Sequence, residues 1–173
     1  MTIAEIIEIP VDCNGNSTGS AVAVVEGGTM PYSYLWSDAL GQNSDTAVLL
    51  SAGMYSLEVT DANGCTTNDD IEITEPDALS LSFQVIDINC FGGTDGTAEA
   101  NVEGGTMPYN YQWDDANTQD MRLATELSEG TYTLVVTDAN NCVIQDDINI
   151  SQPTAPISAN IEQTFTSCFG ENN

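Results

Sequence analysis

Gly27-Gly28-Thr29-Met30-Pro31-Tyr32 recurs, residue for residue, as Gly104-Gly105-Thr106-Met107-Pro108-Tyr109. The offset, 104 − 27, is 77, and it holds without a gap from Cys13 to Cys90, Trp36 to Trp113, Tyr55 to Tyr132, Asp61 to Asp138, Cys65 to Cys142 and Pro76 to Pro153. A fixed period of this size means one structural unit copied along the chain, so function belongs to the unit and to its stacking. The expected division is a first repeat over residues 1–76, a second over 77–153, and the first strand of a truncated third over 154–173.

Within the unit, the residues flanking that stretch read as strands. Ile3 to Cys13, interrupted by Pro10, and Leu79 to Cys90 open the two copies. In the second copy, Leu81, Phe83 and Val85 alternate before the phase shifts to Ile86 and Ile88, which predicts a bulge or a strand that moves from one sheet to the other. After a Gly-rich turn comes a strand with a small inner face, Ala21, Ala23 and Val25 or Ala98, Ala100 and Val102. The larger Tyr32, Tyr34 and Trp36, or Tyr109, Tyr111 and Trp113, fill the room this leaves. The Gly-Gly-Thr-Met-Pro link between them is a tight corner, with glycines accepting positive φ. It is no phosphate loop, since neither a helix nor a Lys follows. Ser44 to Leu50 and Met121 to Leu127 differ most between copies and are expected on the exposed surface. Ala52 to Thr60 and Glu129 to Thr137 alternate strictly, and Asp61-Ala62-Asn63-Gly64 and Asp138-Ala139-Asn140-Asn141 are hairpin turns with Gly64 or Asn141 left-handed. About seven short strands, no helical periodicity and an inner Trp describe an all-β chain of tandem immunoglobulin-like β-sandwich domains.

Charge excludes whole classes of function. The chain has 27 acidic residues and one cation, Arg122, with no Lys and no His, for a formal net charge of −26. Nucleic acid is excluded as a partner, because nothing can displace the counterions of a phosphate backbone, and an anionic membrane surface repels the chain. No apolar run approaches the roughly 18 residues of a membrane span, so no direct membrane insertion is expected. Met1-Thr2-Ile3 leads into alternating residues without a basic n-region, so no signal peptide is read. Without His or Lys there is no Ser-His-Asp triad, Cys-His pair or Schiff base, and no catalytic residue is assigned.

The cysteines stand at 13, 65, 90, 142 and 168. The spacings 65 − 13 and 142 − 90 are both 52, which suggests one disulfide inside each repeat, Cys13–Cys65 and Cys90–Cys142. Closing such a loop stabilises by roughly 4 kcal/mol in the chain-entropy model. Free buried thiols are the competing reading, and the wide spacing without His does not suit zinc. Cys168 follows Cys90 by 78 residues and reads as the first cysteine of the third unit, unpaired in this chain. Calcium is the one candidate cofactor: Asp61 and Asn63 with Asp69 and Asp70, or Asp138 and Asn140 with Asp146 and Asp147, offer hard oxygens. The preferred reading is that Asp61 and Asn63 hydrogen-bond their own turn.

Three motifs together resemble the SprB repeat of Bacteroidota cell-surface proteins. They are Cys-x-Gly at Cys13 and Gly15, Gly-Gly-Thr-x-Pro-Tyr-x-Tyr-x-Trp from Gly27 to Trp36, and Leu-Ser-x-Gly-x-Tyr-x-Leu-x-Val-Thr-Asp-Ala-Asn-x-Cys from Leu50 to Cys65, each repeated 77 residues on. The resemblance implies PKD-like sandwiches in the stalks of large extracellular proteins exported by the type IX pathway, gliding-motility adhesins among them. Asp45-Thr46-Ala47 is similar to a short O-glycosylation signal of that group, with Thr46 as acceptor. The expected role is a structural stalk module of a cell-surface adhesin or fibre, partnered by neighbouring repeats or identical subunits. The first alternative is a filament subunit in which Pro156 to Cys168 completes a neighbour. The second is a carbohydrate-binding module, disfavoured because Tyr and Trp fall on the inner phase.

Overall fold

The computed structural model describes residues 1–159. Cys168, and all but the first residues of the expected third unit, lie outside them. Among the described residues the secondary structure is entirely β: β1 (Thr2–Ile9), β2 (Gly19–Glu26), β3 (Ser33–Trp36), β4 (Thr46–Leu50), β5 (Gly53–Thr60) and β6 (Thr66–Ile73) in the first copy. The second copy holds β7 (Ser80–Ile86), β8 (Gly96–Glu103), β9 (Asn110–Trp113), β10 (Leu123–Leu127), β11 (Gly130–Thr137) and β12 (Val143–Ile150). Each copy packs two antiparallel three-stranded sheets face to face, β1-β2-β4 on β3-β5-β6 and β7-β8-β10 on β9-β11-β12. The immunoglobulin-like sandwich expected from the alternation is the fold observed.

The strand count is six per repeat rather than seven. The expected phase shift is a crossing between sheets: Ile3 and Ile6 lean on the core from one sheet, and then the Val11 amide donates to the Thr74 carbonyl at the end of β6. In the second copy Leu81 and Phe83 are half-buried, Val85 and Ile86 are exposed at the crossing, and the Ile88 amide donates to the Ser151 carbonyl. A single ladder bond is too short to make another strand.

The variable segments are not simply surface. They form β4 and β10, and Ala47, Leu50, Ala124 and Leu127 on them are buried. Those positions are the same in both copies, whereas Val48 and Leu49, which become Thr125 and Glu126, are exposed. Repeat-to-repeat variation therefore marks the outer face of a strand whose inner face is fixed by packing.

Each repeat has its own core. Trp36 packs with Ala21, Ala23, Ala47, Leu57 and Val59, and Trp113 with their counterparts. The alanines leave space between the sheets for the indole, and its Nε1–H donates to the Ser44 carbonyl, or to the Met121 carbonyl in the second copy. Burying the indole with its one donor satisfied is what allows Trp at a fully enclosed position.

The chain makes five passes along each sandwich, because β3 and β4 cover successive halves of a single pass: Ser33 stands opposite Thr60 at one end, and Leu50 opposite Gly19 at the other. An odd number of passes brings the chain in at one end and out at the opposite one. That geometry overturns the expected disulfides. Cys13 lies in the β1–β2 loop beside Pro76, and Cys65 in the β5–β6 hairpin beside Thr29. The two ends are separated by the length of β5, eight residues or about 23 Å, far beyond the roughly 7 Å Cα separation that a disulfide spans. The structure instead joins Cys13 to Cys142, with Cα atoms 5.7 Å apart and a sequence separation of 129. Cys65 and Cys90 are exposed free thiols. The bond is one between repeats, not one within each.

Candidate functional site

The candidate site is the joint between the two repeats, which the Cys13–Cys142 bond closes. On one side is the β1–β2 loop of the first repeat. The Asn14 side-chain amide donates to the Pro76 carbonyl at 3.1 Å and the Gly15 amide donates to the Glu75 carboxylate at 2.6 Å, so the loop is tied to the end of β6. Asp12 holds the loop's start by accepting from the Thr18 hydroxyl and the Asn16 amide, which keep its carboxyl below the ordinary 3.8. On the other side is the β11–β12 hairpin of the second repeat, organised by Asp138.

Asp138 is 2% exposed. Burial alone would raise its pKa, but three backbone amides overcome that and lower it: Thr106 donates at 2.9 Å, Cys142 at 2.9 Å and Asn140 at 2.8 Å. One carboxylate thus ties the hairpin to the Gly-Gly-Thr corner and fixes the Cys142 backbone. Asn141 takes the left-handed turn position with φ 66°, as its counterpart Gly64 does with φ 81°. The corner's glycines are required here: a Cβ on Gly104 would lie 2.1 Å from the Ala78 carbonyl oxygen, so only glycine lets the incoming linker pass.

Across the joint, the Asn140 side-chain amide donates to the Asp12 carbonyl at 2.9 Å, while the Gly105 amide donates to the Asp77 carbonyl at 2.8 Å and holds the entering linker against the second repeat's own corner. With the Cys13–Cys142 bond these enclose a cleft of about 450 Å³, lined by Asn14, Pro76, Ala78 and Leu79 from the loop and linker and by Val143 and Ile144 from β12. Nothing in it is arranged for proton transfer or nucleophilic attack.

The calcium sets do not assemble. In each repeat the Asp61 or Asp138 carboxylate is consumed by its own turn and corner amides, and bonds from Cys65 and Thr29 hold the Asp61 carboxyl below its ordinary value. Asp69 and Asp70 stand mid-strand opposite Leu57 and Ser56, and Asp146 and Asp147 opposite Leu134 and Thr133, several residues from the turn. Among the described residues no three His, Cys, Asp or Glu side chains gather to hold a metal. Thr46 opens β4 half-buried, its hydroxyl donating to Asp45 at 3.1 Å. Arg122 pairs with Glu99 at the surface, where such a pair contributes little.

Sequence reasoning missed a second carboxylate station. Asp38 accepts from the Leu40 and Gln42 amides and the Gln42 side chain, and Asp115 from the equivalent Asn117 and Gln119 groups. The same Gln then bonds both ways to Val48 or Thr125, closing the β3–β4 link onto the strand. Asp-x-x-x-Gln recurring at the 77-residue period was the available signal. The pairing of Asn140 with Asp12 had none, because it crosses between repeats.

The SprB repeat family model matches residues 9–41 and 82–118. No curated protein matches the chain. Among solved structures, the chain is similar to the amphioxus IgVJ-C2 molecule at 11% identity, covering 88% of this chain and 99% of that one with a TM-score of 0.37. It is similar to the two-domain DIP-gamma IG1+IG2 structure at 10% identity, covering 86% and 97% with a TM-score of 0.38. It is also similar to the N-terminal four Ig domains of Dscam1 isoform 6.9 at 12% identity, covering 88% of this chain and 42% of that one with a TM-score of 0.36.

Proposed function

Taking the two SprB repeats as premise, we propose that the chain is a non-enzymatic stalk module of a secreted cell-surface adhesin or fibre, exported by a type IX route. The observation that carries this reading is the joint. Five passes per unit make the array linear, and the linker from Glu75 to Leu79 is too short to act as a free tether. The Cys13–Cys142 bond and the Asn140–Asp12 hydrogen bond then fasten the facing ends. What such a device supplies is length and stiffness. The location outside the cell is supported by the Cys13–Cys142 disulfide, a kind of bond that forms and persists in oxidising surroundings.

Small-angle X-ray scattering on the oxidised protein tests it. The expected result is a monomer with an elongated distance distribution that broadens on reduction. A compact particle unaffected by reductant overturns the stalk reading. Concentration-dependent filaments that vanish when residues after Pro153 are deleted establish the strand-complementation alternative in its place.

A further inference from the structure

We propose that Cys65 and Cys90 are the two open halves of the inter-repeat bond that Cys13 and Cys142 have already made, so that each end of this chain accepts another repeat of the same kind through a disulfide. The 77-residue period makes Cys65 the counterpart of Cys142 and Cys90 the counterpart of Cys13. The bonded pair joins a hairpin cysteine of one repeat to a loop cysteine of the repeat before it. The free pair therefore leaves a hairpin thiol at one extremity and a loop thiol at the other, both exposed.

Two further observations show that these ends are shaped for the same joint. A cleft of about 210 Å³ beside Cys90 is lined by Phe91, Pro153, Ala155 and Pro156. These are the 77-residue counterparts of Asn14, Pro76, Ala78 and Leu79, the loop-side lining of the cleft of about 450 Å³ at the joint already closed. It is half of the joint, with its hairpin side missing and Phe91 half-exposed. At the opposite end, the Asn63 side-chain amide donates to the Thr29 hydroxyl at 2.9 Å, as Asn140 does to Thr106 at 3.2 Å. Asn140 uses its second amide hydrogen across the joint on the Asp12 carbonyl, and that of Asn63 has no acceptor among the described residues.

The chemistry is thiol–disulfide exchange with a low-molecular-weight or protein disulfide as oxidant. The Cys65 thiolate attacks the oxidant's disulfide and expels one thiolate. The Cys90 thiolate of the adjoining repeat then attacks the Cys65 sulfur and expels the second. The two thiols lose two protons and two electrons, and the oxidant's disulfide becomes two thiols.

The inference deepens the stalk reading and rests on it only for what the adjoining repeat is; scattering tests shape, whereas the bond is tested by connectivity. The probe is a second copy of this chain. The 173-residue protein carrying Cys168→Ser is held at millimolar concentration in a reduced and oxidised glutathione buffer, then resolved on non-reducing gels and mapped by peptide mass. The expected result is a ladder of multimers in which Cys65–Cys90 links exceed the one half of intermolecular bonds that random pairing gives, while Cys13–Cys142 stays intact. Adding Cys65→Ser or Cys90→Ser should leave the protein monomeric, and mixing the two variants should give dimers and nothing larger. Random or symmetric pairing, thiols that stay unlinked, or Cys13–Cys65 and Cys90–Cys142 peptides would each overturn it.

Discussion

Replacing Asp138 by Ala tests whether one carboxylate organises the end of a repeat. The substitution strips the acceptor from three backbone amides, those of Thr106, Asn140 and Cys142, at 2.8 to 2.9 Å. Hydrogen bonds to a charged acceptor contribute about 1.5–3 kcal/mol each, but Asn140 is exposed and regains water, so the net loss should be about 3 kcal/mol. For a unit of 77 residues that lowers the melting temperature by about 12–24 °C. Asp138→Asn keeps one acceptor oxygen and should lose about half as much. Urea unfolding followed by tryptophan fluorescence reads this repeat by repeat, since each carries one Trp; a Trp36→Phe background reports the second repeat alone. Because the same carboxylate positions Cys142, the variant should also close the Cys13–Cys142 bond more slowly on reoxidation. A change under about 0.5 kcal/mol, or a loss shared equally by both repeats, would refute the reasoning.

Other outcomes follow from the same contacts. Trp113→Ala should destabilise the second repeat by about 3–5 kcal/mol and leave the first cooperative, checked in the same urea titration. Serine at Cys13 and Cys142 removes closure across 129 residues, about 5 kcal/mol in the chain-entropy model, and should lower the calorimetric midpoint without changing the far-ultraviolet spectrum. Asp61 and Asp138 have folded pKa values below the ordinary 3.8. Their contribution is therefore complete above that value and is lost as pH falls through the lower folded one, so stability should drop steeply below about pH 4 and the drop should shrink in the double Asn variant. With a net charge of −26, raising sodium chloride should raise the urea midpoint by screening self-repulsion; a fall would count against it.

Much of the fold was legible because period-2 alternation and turn residues act locally. Leu57 and Val59 had to face inward together, and Gly64 and Asn141 had to turn. The inner residues of β4 and β10 were obscured by the changing outer ones. The disulfide was misread for a different reason. Equal spacings of 52 are compatible with bonds inside repeats or between them, and 129 is that spacing plus one period. Choosing between the two requires knowing which end of the sandwich each cysteine occupies, and that depends on β3 and β4 sharing a pass. Local pattern does not count passes.

The linker and the sulfur bridge attach the two bodies at separate points, and two attachments do what one cannot. A single covalent tie is a swivel, whereas a pair forbids rotation about the long axis, so twist applied to one body reaches the next. It also makes the joint tolerant of damage: a protease that nicks the backbone near Asp77 severs the polypeptide without parting the two repeats, until a reductant arrives.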